Sequence, residues 1–268
     1  MNQHYDMLRR IAEPMEMDVS RETFERFVLY KNLLQEWNQH LNLTAIIDDD
    51  GIFLKHFADS ITIFRLNEVK QSKSVIDVGT GAGFPGLPMK ILDNSIELTC
   101  LDPLNKRLIF LKEVTNQLGL AGVHFIHGRA EDVSRETSHR DHYDLAVSRA
   151  VAVLPTLMEF CLPFVAPNHY FVAMKGPGIE AEVKLNPKLF HELSSSLVKI
   201  EQVPDLDEYE HNLVLIKINA TSSNFPRKFA QIKKTRNDTR PFWAKVKIQL
   251  ILCRQYSEKH SPRQQCFT

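Results

Sequence analysis

The residues best suited to chemistry lie together at Val75-Ile76-Asp77-Val78-Gly79-Thr80-Gly81-Ala82-Gly83-Phe84-Pro85-Gly86. An apolar run ends at Asp77–Val78, three alternating glycines follow, and Pro85 stands where a helix would begin. Glycine lets the backbone turn tightly and approach a ligand with no Cβ in the way. Nineteen positions beyond Gly83, at the end of the next apolar run, stands Asp102. An acid there can accept hydrogen bonds from both hydroxyls of a ribose.

The spacing separates two classes of nucleoside ligand. A dinucleotide fingerprint needs a third glycine three places after its second, and that place holds Phe84. The pattern here instead carries an acid, Asp77, two residues before the first glycine. A carboxylate there would repel a pyrophosphate. It would favour the methionine end of S-adenosylmethionine, with its ammonium and sulfonium charges. The loop therefore points to the methyl donor rather than to NAD. The two rivals are an NAD-linked oxidoreductase and a non-catalytic RNA-associated protein that keeps the donor site.

The elements that must hold this loop can be read around it. Short apolar runs at Ser74–Val78, Ile96–Leu101, Val123–Ile126, Tyr143–Val147 and Tyr170–Met174 predict strands. Leu87–Leu92, Leu104–Leu118 and Leu154–Leu162 predict the helices between them. Apolar strands alternating with helices imply an α/β fold with a mostly parallel, doubly wound sheet. Two later runs, 197–203 and 212–218, lack a helix between them and predict an antiparallel end to that sheet. Before the loop, residues 1–42 read as helical, with Phe24, Phe27, Val28, Leu34, Trp37 and Leu41 in one stripe and Ser20 as N-cap. The organisation predicted is a helical appendage over residues 1–70 packed on a domain of residues 71–220, then a basic tail over 221–268.

Bulk properties narrow the class. Lys+Arg and Asp+Glu both total 33, yet Asn219–Thr268 holds eleven cations against two acids, an excess of 11 − 2 = +9. Such an end suits a polyanion or simply solvation. No run approaches the ~20 apolar residues of a membrane span. The segment MNQHYDMLRR lacks a secretory apolar core. Cys100, Cys161, Cys253 and Cys266 form no CxxC pair. These features describe a cytoplasmic protein with reduced thiols, no metal cluster and no implied oligomer. His56 and Asp59, three apart, read as a hydrogen-bonded closure of the N-terminal segment onto the sheet rather than as metal ligands.

Several further motifs resemble one family, the bacterial methyltransferases of a guanine N7 in 16S ribosomal RNA, first named glucose-inhibited division protein B. They are Trp37-Asn38, Asn42-Leu43-Thr44-Ala45-Ile46, His56 with Asp59-Ser60, the loop Asp77–Pro88, Asp102 with Asn105-Lys106-Arg107, Gly128-Arg129-Ala130-Glu131, Ser148-Arg149-Ala150-Val151-Ala152, Lys175-Gly176 and Phe225-Pro226-Arg227-Lys228. The resemblance implies a Rossmann-like class I S-adenosylmethionine-dependent methyltransferase. It implies donor contacts at Gly79, Phe84, Ala130, Glu131 and Arg149, and ribose contact at Asp102; Gly81, in the same loop, is a further donor-binding candidate. The implied substrate is 16S rRNA or the small ribosomal subunit, with Lys175, Arg227 and Lys228 as RNA-facing candidates. After Lys228 the chain departs from the family's usual ending. No residue is assigned as a general base, because guanine N7 carries a lone pair and no proton.

Overall fold

A computed structural model describes residues 2–204, 206, 210–228 and 231–232. Its frame is a seven-stranded sheet in the order β3-β2-β1-β4-β5-β7-β6. The strands are β1 (Ser74–Val78), β2 (Glu97–Asp102), β3 (Val123–His127), β4 (Tyr143–Arg149), β5 (Val165–Lys175), β6 (Ser195–Val203) and β7 (His211–Ile218). β1 to β5 run parallel, and β7 lies antiparallel to both β5 and β6. The doubly wound sheet with an antiparallel end thus follows the apolar runs of the sequence.

Two differences have local causes. β5 begins at Val165, five residues before the predicted run, because a register shift opposite Tyr143 and Leu145 lets its polar first half bulge past β4. The two final strands do not simply add to the sheet in chain order. β7 inserts between β5 and β6, which its apolar sequence NLVLI demands, since every one of those residues is buried.

The N-terminal segment is helical, and it folds as two helices. Helix α1 (Gln3–Ala12) gives way to a short 3-10 turn carrying Pro14, and Glu16 turns left-handed at φ 57°. Helix α2 (Arg21–Leu41) then starts at Ser20, whose hydroxyl accepts from Thr23 N at 3.1 Å, and it ends at left-handed Asn42. The buried face of α2 is Phe24, Phe27, Tyr30, Leu33 and Leu34. Val28, Trp37 and Leu41, placed by the sequence on the same stripe, are only partly buried. Short helices at Asp49–Ile52 and Asp59–Ile61 flank a π-helical turn, Phe53–Ala58, before β1.

These helices brace the glycine loop. The Tyr30 hydroxyl donates to the Ala82 carbonyl. Its ring stacks on Phe84 at 5.6 Å and lies 5.3 Å from Phe57. Burial pushes the Tyr30 pKa well above its usual value, so the hydroxyl stays a donor. A Cβ at Gly83, which sits at φ 99°, would overlap that hydroxyl and come within 2.9 Å of Leu111 Cδ2. Only glycine lets the helix approach so closely.

Met1–Pro226 form one compact unit and Arg227–Thr268 another. The N-terminal helices therefore belong to the unit of the sheet, and that unit runs past the predicted boundary at 220. Its extension is fixed by Arg140, whose guanidinium donates to the carbonyls of Ser222 at 3.0 Å and Phe225 at 3.1 Å. The apolar patch Ile248–Cys253 and most of the basic tail lie outside the described residues. Among the described residues, no helix is long and apolar enough to cross a membrane.

Tyr30→Phe keeps the ring packing and leaves the buried Ala82 carbonyl without its donor. It should lower unfolding free energy by about 1–3 kcal/mol. Denaturant melts of the two proteins check this, and an unchanged midpoint would remove the brace from the account.

Candidate active site

Helix α3 (Gly86–Leu92) begins where the glycine loop ends, and its first N–H has no partner inside the helix. Asp77, at the end of β1, supplies one: its Oδ2 accepts from Gly86 N at 2.9 Å and from the Thr80 hydroxyl at 2.8 Å. Asp77 is fully buried. The sequence placed this carboxylate toward a bound cation; the structure turns it under the loop, as an internal brace. Its Oδ1 has no hydrogen-bond partner among the described residues. Burial pushes the pKa up to about 6, against the opposing pull of the Gly86 and Thr80 bonds and of Arg149.

The loop is anchored to the neighbouring strand as well. Gly79 N and Thr80 N donate to the Leu101 carbonyl at 2.8 and 3.1 Å. Gly81 N donates to Asp102 Oδ2 at 3.0 Å. Asp102 is itself fully buried, and it also accepts from Leu104 N at 2.8 Å and from Arg107 Nη1 at 3.2 Å. A carboxylate has about four lone-pair positions. Those three donors leave Asp102 with roughly one open, so two ribose hydroxyls would need the long Arg107 contact to give way. Gly79, at φ 74°, lies beneath Val151, and a Cβ there would meet Val151 Cγ2 at 2.7 Å. Val151 is 42% exposed, an apolar lip over the loop that the sequence reading did not single out.

Ala130 and Glu131 open a short helix, Ala130–Val133, just after β3. That places them beside Asp102, since Asp102 pairs in register with His127. Glu131 is 9% exposed and lies 3.7 Å from Arg129. Arg149 and Lys175 end β4 and β5. Gly79, Gly81, Asp102, Ala130, Glu131, Arg149 and Lys175 thus share the carboxyl edge of the parallel strands. In open α/β sheets ligands bind at that edge, where the strand order reverses, here between β1 and β4. Arg227 and Lys228 belong to the second unit, and Lys228 is exposed.

Two assignments change in character. The Phe84 ring is 6% exposed, held between Tyr30 and His56, the latter stacked at 4.5 Å. Its backbone N–H is bonded to Thr80 O at 3.1 Å. The ring is therefore a floor beneath the loop rather than an open face for a ligand.

Arg149 lies over that ring at 4.9 Å. Its Nη1 reaches Asp59 Oδ2 at 2.6 Å and the Lys55 carbonyl at 3.1 Å. His211 takes the other Asp59 oxygen at 3.1 Å. The closure expected of His56 and Asp59 is present, with Arg149 as its centre and His211, from β7, as a partner that no local sequence pattern announced. Burial opposes ionisation of Asp59, but His211 and Arg149 outweigh it and hold the pKa below the usual carboxylate value. Burial beside Arg149 lowers the His56 pKa to about 4, so the ring is neutral at physiological pH. Among the described residues, no three His, Cys, Asp or Glu side chains gather where they could hold a metal ion.

Arg149→Met removes one partner of a buried pair and should cost about 3–5 kcal/mol at pH 7. Without the guanidinium, burial should raise the Asp59 pKa above its unfolded value. The variant's deficit should then shrink as pH falls and that carboxyl protonates. Paired melts at pH 7 and pH 4 check it; a deficit that does not change with pH would mean Asp59 is not the group affected.

The chain matches known proteins over most of its length. Residues 23–214 match the family model described as rRNA small subunit methyltransferase G. A protein of that name from Clostridium botulinum (strain Eklund 17B / Type B) is 47% identical over 232 residues, 86% of this chain and 97% of the relative. Another, from Clostridium perfringens (strain 13 / Type A), is 45% identical over 234 residues, 87% of this chain and 98% of the relative. On this match, the chain belongs to the rRNA small subunit methyltransferase G family.

Proposed function

We propose that this chain transfers a methyl group from S-adenosylmethionine to N7 of a guanine in 16S rRNA of the small ribosomal subunit. One observation carries the reading. The glycine loop leaves β1 at the reversal of strand order and is bonded through Gly81 N to Asp102, so loop and acid form one preset rim. The relatives' shared name supports the small-subunit RNA as target.

The residues fit the donor on a point independent of the family. Asp77 holds a buried carboxylate oxygen with no partner and has its pKa raised by burial. A cation bound over the loop would relieve that charge through space. Asp102 would hold the ribose, and Gly79, Gly81, Ala130 and Glu131 would line the pocket. Arg149 would orient Phe84 and His56 beneath it, acting through packing. When bound, S-adenosylmethionine supplies an electrophilic methyl group on a sulfonium sulfur.

What the chain must add is alignment. Guanine N7 has an in-plane lone pair and loses no proton, so no side chain has to accept one. Well-oriented reactants can gain ~7–11 kcal/mol, more than a general base usually adds. In keeping with this, His56 is stacked on Phe84 with its pKa lowered to about 4, which makes it a weak base, and Asp77 is enclosed. Lys175, Arg227 and Lys228 would face the RNA, with Arg227 and Lys228 serving its phosphates, whose contacts give affinity without sequence choice.

Transfer of a labelled methyl group to unmethylated 30S subunits tests the function, with the product base identified by cleavage at N7-methylguanine. In single turnover with donor and subunit saturating, the rate should stay flat between about pH 6.5 and 9. A rate climbing tenfold per pH unit there would require a base, and the N7 assignment would fall.

Donor binding should show a separate pH dependence. Asp77 is mostly protonated below about pH 6 and ionised above it. Affinity for the cationic donor should therefore rise with pH through about 6, by up to tenfold per unit, and level off near neutrality. Calorimetry across pH 5 to 8 measures this, and Asp77→Asn should flatten the curve.

A further inference from the structure

Past Arg149, on the side away from β1, the same sheet edge opens into a cavity of about 410 Å³. Its lining includes Arg149, Ala152, Lys175, Gly176, Glu210 and Asn212. The volume falls in the range of small-molecule sites. Arg149 both lines this cavity and lies over Phe84 in the glycine loop, so the cavity adjoins the donor rim.

Its polar groups are set in a specific order. Asn212, at the start of β7, is 2% exposed. Its Nδ2 donates to the Gly176 carbonyl at 3.2 Å and to Glu210 Oε1 at 2.8 Å. Both amide hydrogens are thereby used, so the amide has only its acceptor oxygen left to offer. The same bond fixes the Glu210 carboxylate, which remains half-buried at the wall. Glu210 and Asn212 therefore bring acceptors to the lining of the cavity, a carboxylate and an amide oxygen. Lys175 stands nearby, with two of its three ammonium hydrogens given to Ala152 O at 3.1 Å and Glu182 Oε2 at 3.2 Å, and one left.

We propose that this cavity receives the acceptor guanine, with Glu210 and Asn212 reading its N1–H and exocyclic amine. The inference rests on the methyl transfer proposed above. A guanine methylated at N7 must turn its N7 edge toward the donor rim. The opposite edge of the purine, with N1–H and the 2-amino group side by side, then faces the acceptor wall. The remaining Lys175 hydrogen suits O6. An enzyme acting on a base reads it in this way once it is out of the stack, by hydrogen bonds to its Watson–Crick edge. Adenine puts a bare acceptor nitrogen where N1–H should be and has no 2-amino group, which leaves these acceptors unpaired. Charge works in the same direction. When N7 gains a methyl group the purine ring becomes cationic and N1–H more acidic, so a carboxylate on that edge grows more favourable as the reaction proceeds. Asn212 also fixes the Glu210 carboxylate through its Nδ2 bond.

The test compares 30S subunits assembled on 16S rRNA carrying guanine or inosine at the position the unaltered chain methylates. Inosine keeps N7, O6 and N1–H and lacks only the 2-amino group. Single-turnover transfer should be slower on inosine by about 10- to 100-fold, the range for a hydrogen bond to a charged group. Glu210→Gln should slow guanine subunits by a similar factor and bring the guanine-to-inosine ratio toward one, while calorimetric affinity for S-adenosylmethionine stays unchanged. Equal rates on guanine and inosine with the unaltered chain would overturn this assignment alone and need no variant that folds. A Glu210→Gln protein that keeps the unaltered ratio would overturn it too. Absence of transfer to guanine subunits would overturn the methyl transfer itself, and this inference with it.

Discussion

A single carboxylate at the end of the central strand organises the loop on which everything else rests. Asp77 is closed off from water, yet one of its oxygens holds both Thr80 and the first N–H of helix α3. Burying that charge is costly, and the raised pKa records the cost. In return the three glycines are held between two fixed points, the strand that precedes them and the helix that follows. Asp102 adds a third point from β2 through Gly81 N, and Tyr30 a fourth from α2 through the Ala82 carbonyl. A loop fixed from four directions is preorganised for a ligand, which lowers the ordering cost on binding.

The same logic governs the opposite side of the site. Asp59 joins three segments far apart in sequence: its own helix, the end of β4 through Arg149, and the start of β7 through His211. Each carries a piece of the proposed reaction site. Arg149 faces the donor rim, while His211 is adjacent to Glu210 and Asn212. A displacement of the Lys55–Asp59 segment would therefore reach donor rim and acceptor cavity together, through one buried ion pair. Such coupling follows from burial, since surface pairs of this kind contribute little.

The sheet was legible because its strands are short apolar runs separated by helices, and each such run requires two covered faces. Gly79, Gly81 and Asp102 were legible because turn geometry and strand ends constrain residue type locally. Tyr30 was not, although it lies three residues after Phe27 and four before Leu34. A tyrosine on an apolar stripe looks like core, and only the tertiary contact reveals its bond to the loop. For Asp77 the spacing placed the carboxylate at the loop, but did not show that it lies beneath the loop and holds Thr80 and Gly86. His211, Glu210 and Asn212 escaped notice because their significance arises from a strand inserted out of chain order. No local pattern reports a partner 90 or 150 residues away.

That insertion has a consequence for how the protein is made. β5 and β6 share no edge, and what joins them is β7, which follows both in the chain. On a translating ribosome the first five strands can emerge and pair in turn, but the apolar edge of β5 stays uncovered until His211–Ile218 has cleared the exit. Uncovered edges invite pairing with other chains, and contacts across long sequence separations form slowly. The nascent protein thus passes through a stage with its glycine loop formed and its sheet still open. A ribosomal pause that holds His211–Ile218 inside the exit tunnel would prolong that stage, whereas one after the strand has cleared the exit would find the sheet already closed.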